Sequence, residues 1–306
     1  MSVIEVNNLT KDYGHGRGIF DVSLQVEKGE VFGFLGPNGA GKTTTIRHLM
    51  GFSNPQKGRA TINGLSCKRQ ASKILEDVGY LPGEVSLPEA LTGNQFIRMM
   101  QGLRHSQDKQ RLNYLLELFQ LDPRGKTKRM SLGNKRKLAV ITAFMADPAI
   151  LILDEPTSGL DPVMQDAFIS FMKEEKKRGK TILLSSHIFS EVDAICDTIA
   201  IIKDGKIVST VKADDIRHNQ NKMFHITFES AAEVNRFRFE PGITISYSDP
   251  EKQIAEAQIH DSEINRLVQV LSKYHVESFR EMKFTLESHF MRFYEKTRGQ
   301  GGKMHG

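Results

Sequence analysis

This 306-residue chain has two cysteines, no tryptophan and no long apolar stretch. Cys67 and Cys196 lie far apart and match no metal-ligand spacing, which excludes a disulfide framework and predicts two buried, reduced thiols in a cytosolic protein. The longest apolar run, near 149–153, is far below the ~20 residues a membrane span needs. No charged-then-apolar leader opens the sequence, so the expectation is a protein neither secreted nor membrane-spanning by itself. An excess of one charge sign is also missing: 42 Lys+Arg stand against 37 Asp+Glu, and the resulting +5 does not by itself imply nucleic acid. At 39% hydrophobic and 26% charged, the chain has the composition of an ordinary soluble protein. Its length suits one large domain or two smaller ones with a sizeable core.

What is present starts with a loop. Gly36, Pro37, Asn38, Gly39, Ala40, Gly41, Lys42, Thr43 and Thr44 contain the pattern G-x-x-x-x-G-K-[ST]. An apolar run of strand length, 31–35, precedes it and a helix-like segment, 44–50, follows. In that context glycines let successive backbone N–H groups turn inward, and the helix N-terminus adds partial positive charge. Lys42 can reach outer phosphates, and the Thr43 hydroxyl can hold the magnesium ion that bridges them. The bland alternative is a glycine-rich turn that binds nothing.

Ahead of the loop, 3–9 and 19–26 alternate with period two and read as antiparallel strands. Between them Tyr13 lies in a polar, glycine-rich segment. It is either an exposed ring for stacking on a base, at ~1–3 kcal/mol per contact, or a surface-packing tyrosine. After the loop, 54–58 is a turn, 59–62 a short strand, and 78–82 a strand stopped by Pro82. Helices are expected over 92–103 and 108–119, the second with Leu112, Leu115, Leu116 and Phe119 on one face.

Residues 124–137 carry seven basic side chains and no acid, the usual mark of a solvated face or a nucleic-acid patch. Here Ser131, Leu132 and Gly133 open a helix bearing Leu138, Ile141 and Met145. Helix terminus, hydroxyl, glycine amide and cations together offer a second anion site as the alternative. The run 149–153 then reads as a buried parallel strand ending in Asp154 and Glu155. Neighbouring acids there point in different directions: Asp154 can hold magnesium, and Glu155 can orient or deprotonate an attacking water. Residues 158–161 lead into a helix with Pro162 in its first turn. A further buried strand, 181–186, delivers His187, either structural or a phosphate sensor. Strands at 198–202 and 206–210 flank the hairpin pair Asp204 and Gly205.

By these residues, in this order, the chain resembles the nucleotide-binding subunit of an ATP-binding-cassette (ABC) transporter over residues 1 to about 216. The resemblance implies an α/β fold: a P-loop NTPase core with an antiparallel β subdomain and a helical subdomain at about 84–146. It makes 36–44 the Walker A loop, 150–155 the Walker B strand with Glu155 as catalytic glutamate, His187 the switch histidine, and Tyr13 the adenine-stacking aromatic. Residues 130–134 are similar to the family signature, keeping Ser131 and Gly133 but carrying Leu132 and Asn134 in place of a glycine and a glutamine. In the family this segment binds the γ-phosphate of ATP held by a second subunit. The glutamine usual after the strand at 78–82 is Gly83 here, followed by Glu84; Glu84 substitutes for it, or the loop only transmits motion. This variant is similar to that of drug-, bacitracin- and lipid-type exporters with separate membrane subunits.

What the resemblance implies for partners follows. ATP and Mg2+ are the cofactors, a second ATP-binding subunit (identical or a paralogue) completes the sites, and a separate transmembrane permease docks on the helical segment 84–120. The place is the cytoplasmic face of the cell membrane, and no nucleic acid is involved. The competing readings are a soluble cassette ATPase in nucleic-acid or translation-related work, and an ATP-binding regulator without turnover. Beyond 216, alternating strands at 224–228, 243–247 and 255–259 and helices at 230–237 and 261–274, with a last strand near 276–284, give a β-α-β-β-α-β order. That predicts a small α+β, ferredoxin-like domain over 217–298. Its 13 Lys+Arg and 12 Asp+Glu, counted over 217–306, show no nucleic-acid signature. A terminal helix at 285–296 with Leu286, Phe290 and Phe293 on one stripe, and a disordered tail at 299–306, complete the expectation.

Overall fold

Alternation of apolar and polar residues makes β1 (Ser2–Asp12) and β2 (Gly18–Glu27) an antiparallel pair. Ile4, Val6, Leu9, Ile19, Val22 and Val26 are buried on their inner face. The chain is a computed structural model in which residues 2–104, 108–217, 221–282, 286–287 and 290–291 are described. After β2 it enters β3 (Val31–Leu35) and α1 (Lys42–Leu49), then returns as β4 (Lys57–Ile62) and β5 (Leu65–Ser66). The first sheet therefore has the order β2-β1-β4-β5.

The short α2 (Ala71–Asp77) leads into β6 (Val78–Leu81). Then come α3 (Gly93–Arg104), α4 (Lys109–Leu118) and α5 (Leu132–Phe144). On α4 the apolar stripe buries Leu115 fully, and Phe119 just beyond its end. Next are β7 (Ile150–Asp154), α6 (Pro162–Lys177), β8 (Thr181–Ser186), α7 (Phe189–Ile195), β9 (Thr198–Lys203) and β10 (Lys206–Lys212). These strands form a second sheet, β10-β9-β3-β8-β7-β6. All neighbours in it are parallel except the edge hairpin β9–β10, which turns at Asp204 and Gly205. Every residue of β3, β7 and β8 is buried, as strands covered on both faces require.

The chain parts into two compact units after Ala213. α8 (Ala213–Arg217) straddles that point. The second unit contains β11 (Asn221–Phe228), α9 (Ala231–Phe237), β12 (Thr244–Asp249), β13 (Ile254–His260), α10 (Ile264–Leu271) and β14 (Val276–Met282). Its sheet order is β12-β13-β11-β14, with every pair antiparallel. Two βαβ units thus interleave, the split βαβ arrangement. Phe228 on β11, Phe237 on α9 and Tyr274 after α10 meet ring to ring at its centre, at 5.1–5.8 Å. Leu286 and Phe290 are buried; Phe293, most of the expected terminal helix and the tail lie outside the described residues. Among the described residues no helix is long and apolar enough to cross a membrane.

Candidate nucleotide-binding site

The register of the parallel sheet assembles the site. Leu35 on β3 stands opposite Ser186 on β8, and Asp154 on β7 opposite Ser185. Gly36, His187 and Glu155 therefore leave the sheet from one edge, the carboxyl-end crevice where open parallel sheets bind ligands. Gly36 N donates to Ser186 O, and Glu155 N to Ser185 O, at 3.2 and 3.1 Å. The loop closes on Gly41, whose φ is +113°; a Cβ there would stand 2.7 Å from the Ile19 side chain. Gly41 gives α1 no side-chain cap, so the first-turn amides stay open at the helix end that carries partial positive charge.

Lys42 is only 5% exposed. Its Nζ donates to Gly36 O at 2.6 Å and Pro37 O at 3.2 Å, and pairs with Glu155 Oε1 at 2.9 Å. The other Glu155 oxygen lies 2.6 Å from His187 Nδ1. Lysine, carboxylate and imidazole thus form one line of contacts. Glu155 holds φ at +49°, a conformation that costs a side-chain-bearing residue about 1–3 kcal/mol. Its predecessor Asp154 is fully buried. Asp154 Oδ1 accepts from Ser185 Oγ at 2.5 Å, whereas Oδ2 is buried with no partner among the described residues. A buried carboxylate oxygen left so is costly unless a cation meets it. Together with the exposed hydroxyl of Thr43 on the first turn of α1, it supplies the hard oxygen donors that magnesium takes.

Other expected residues lie apart. Ser131 is the N-cap of α5, accepting from Asn134 N at 3.2 Å. A Cβ on Gly133 would lie 3.2 Å from Gly159 O, so this segment packs against the 158–161 loop. No hydrogen bond or ion pair among the described residues joins it to the phosphate loop of the same chain. Tyr13 is 52% exposed, with Lys11 Nζ 5.5 Å from its ring centre. The β1–β2 turn that carries it borders the phosphate loop, since Gly18 O is 3.4 Å from the Cβ position of Gly41. Glu84 is exposed. Gly83 lies against the acid pair, its Cβ position 3.0 Å from Asp154 Oδ2.

Two further residues emerge only in three dimensions. Arg136, one of the seven cations in the basic run, is 2% exposed. All five of its N–H donors are used, on the carbonyls of Pro82, Gly83, Asp154, Glu155 and Pro156. Burial pushes its guanidinium down to about 10, against the opposing pull of Asp154 and Glu155. The signal was its place on the stripe continued by Ala139, Val140, Ala143 and Phe144, all buried. Glu191, at the start of α7, is 4% exposed and accepts from Thr157 and from Ser186 Oγ, the latter at 2.9 Å. It ties the segment after Glu155 to the strand end before His187.

A six-stranded sheet with a glycine-rich phosphate loop at β3 and an acid pair at the end of β7 defines a P-loop nucleotide-binding fold. Comparison with known proteins places it more narrowly. The ABC transporter family matches residues 19–158. The linearmycin resistance ATP-binding protein LnrL of Bacillus subtilis (strain 168) is 32% identical over 283 residues, 84% of this chain and 91% of that one. The bacitracin transport ATP-binding protein BcrA of Enterococcus faecalis is 34% identical over 225 residues, 72% and 73% of the two. A solved structure described as the ATP binding subunit of an ABC transporter is 32% identical, with a TM-score of 0.66, over 71% of this chain and 93% of that chain. The chain belongs to the ATP-binding proteins of the ABC transporter family, and is an ATPase.

Proposed function

We propose that this chain is the energy-coupling subunit of an exporter, acting at the cytoplasmic face of a membrane on a separate transmembrane permease. The observation that carries the reading is the convergence of Lys42, Asp154, Glu155 and His187 at one sheet edge. The resistance and transport functions named for LnrL and BcrA favour export over nucleic-acid or translation-related work. In this reading 36–44 wraps the phosphates of ATP, Lys42 exchanges Glu155 for them, and Tyr13 stacks on the base. Freed from Lys42, Glu155 takes the proton of the attacking water, and His187 holds the outer phosphate. Thr43 and Asp154 would hold Mg2+, which when bound neutralises phosphate charge. Ser131 and Gly133, having no phosphate loop beside them in their own chain, serve ATP held by a second ATP-binding subunit.

Purification of the tagged chain from detergent-solubilised membranes of its own cells tests the reading. A polytopic membrane protein should co-purify and raise its ATPase rate. Recovery of the chain solely in the soluble fraction, with no such partner, would remove the permease from the proposal.

A further inference from the structure

Away from the nucleotide site, a cavity of about 410 Å3 opens where α1, β4 and the segment after β5 meet. Its size falls within the range of small-molecule sites. Arg59, Lys68 and Arg69 line it, and among the described residues no carboxylate does. Among the described residues none of the three cations has an ion-pair partner, whereas Arg111, Arg178 and Lys180 all converge on Asp147. Deeper in, the cavity is lined by His48, Ser66 and Cys67. His48 is 2% exposed. Its Nδ1 donates to Thr44 O in its own helix at 2.7 Å, and its Nε2 is buried without a partner among the described residues. It is a polar atom that lacks a hydrogen-bonding counterpart, which buried groups rarely do.

We propose that this cavity is a binding site for a small phosphorylated anion, distinct from the nucleotide site and beyond the transport reading. The three cations supply charge-assisted contacts, Ser66 supplies a hydroxyl, and His48, whose Nδ1 donates to Thr44 O, leaves Nε2 to accept from a ligand hydroxyl. The cavity lies near the C-terminal end of α1, whose carbonyl dipoles carry roughly half a negative charge. Three full positive charges outweigh it. The Cys67 thiol, pushed up to about 12 by burial, stays neutral and offers no nucleophile, so the site binds rather than reacts. A phosphate ester of this kind is either a soluble metabolite or the headgroup of a membrane lipid, and the two sources share the chemistry.

The test titrates glycerol 3-phosphate into the full chain by calorimetry, with ADP and magnesium saturating the phosphate loop. Saturable one-to-one binding is expected. Arg59→Glu or Arg69→Glu should weaken it about tenfold or more, the loss of one charge-assisted contact, while basal ATPase activity stays unchanged. Both side chains are exposed, so these variants keep the fold even if His48→Gln does not. Cosedimentation with vesicles of phosphatidylglycerol and phosphatidylcholine, against phosphatidylcholine alone, separates the sources. Retention on the anionic vesicles that the same substitutions abolish assigns a lipid headgroup; binding of the soluble ester alone assigns a metabolite. No saturable binding of either probe, or binding indifferent to Arg59→Glu and Arg69→Glu, overturns the proposal.

Discussion

Replacing Arg136 by methionine removes five hydrogen bonds and little volume. The bonds run to Pro82 O at 2.5 Å, Gly83 O at 3.2 Å, Asp154 O at 2.8 Å, Pro156 O at 3.1 Å and to Glu155 O. At the low end of the ~1.5–3 kcal/mol that a hydrogen bond to a charged group contributes, they stabilise by about 7 kcal/mol. Desolvation opposes them. The fall of the guanidinium to about 10 from 12.5, which is net of the opposing pull of Asp154 and Glu155, sets this opposition at about 3 kcal/mol or more. The variant should therefore lose up to about 4 kcal/mol, in line with the loss of one partner of a buried charge contact. Because the chain has two compact units, a single global unfolding free energy would be composite. Amide hydrogen exchange read by mass spectrometry isolates the effect: opening at 82–84 and 150–156 should accelerate up to about a thousandfold. Turnover should fall with little change in KM for ATP, since Glu155 loses its backbone anchor while the phosphate loop is untouched. Arg136→Lys keeps the charge but has three donors on one atom, and should recover part of both losses. Wild-type exchange rates in Arg136→Met would refute the account, because the carbonyls would then be held by something else.

Glu155→Gln should lower turnover by ~10²–10⁴, the contribution of a positioned general base, yet bind ATP at least as tightly, since Lys42 is no longer held by a carboxylate; near-normal ATPase activity removes Glu155 from its role. Ser131→Arg should leave ATP binding by the isolated chain intact and abolish ATP-dependent dimerisation, as sedimentation would show; weakened binding in the monomer would place Ser131 in its own chain's site. Partial burial raises the Asp147 carboxyl, but hydrogen bonds from Arg178 and Lys180 outweigh it and hold the group below its ordinary value. A depressed folded value contributes stability above the unfolded carboxylate range that is lost as pH falls through it. The melting temperature of Asp147→Asn should thus approach that of the wild type only at pH below the usual aspartate range, and a constant gap between the two down to acid pH would contradict this.

The parts of the fold and site that could be read in the sequence are those whose chemistry is contiguous. The phosphate loop, the apolar runs of β3, β7 and β8, Asp161 and Pro162 at the start of α6 and the hairpin at Asp204 each carry their own physical cause within a few residues. α2 was not readable, since only Ile74 of its seven residues is buried and no periodicity can form. Arg136 was hidden for a different reason. A run of seven cations reads as one electrostatic feature, and only its spacing from the apolar stripe of α5, not its charge, separates the member that bonds to loops 54 and 20 residues away from those facing water.

Lys42, Glu155 and His187 show the same limit in the site itself. Each received a separate role from its motif, yet the structure joins them: Lys42 to Glu155 at 2.9 Å and Glu155 to His187 at 2.6 Å. At an effective dielectric of about 20, the first contact alone amounts to about 6 kcal/mol of Coulomb attraction. A ligand that draws Lys42 away must offer more charge than one carboxylate, which the outer phosphates of ATP do and a neutral or singly charged molecule does not. The same exchange frees an oxygen of Glu155 at the moment a phosphate arrives beside it. Binding of substrate and release of the general base are then one event, which no motif taken singly could express.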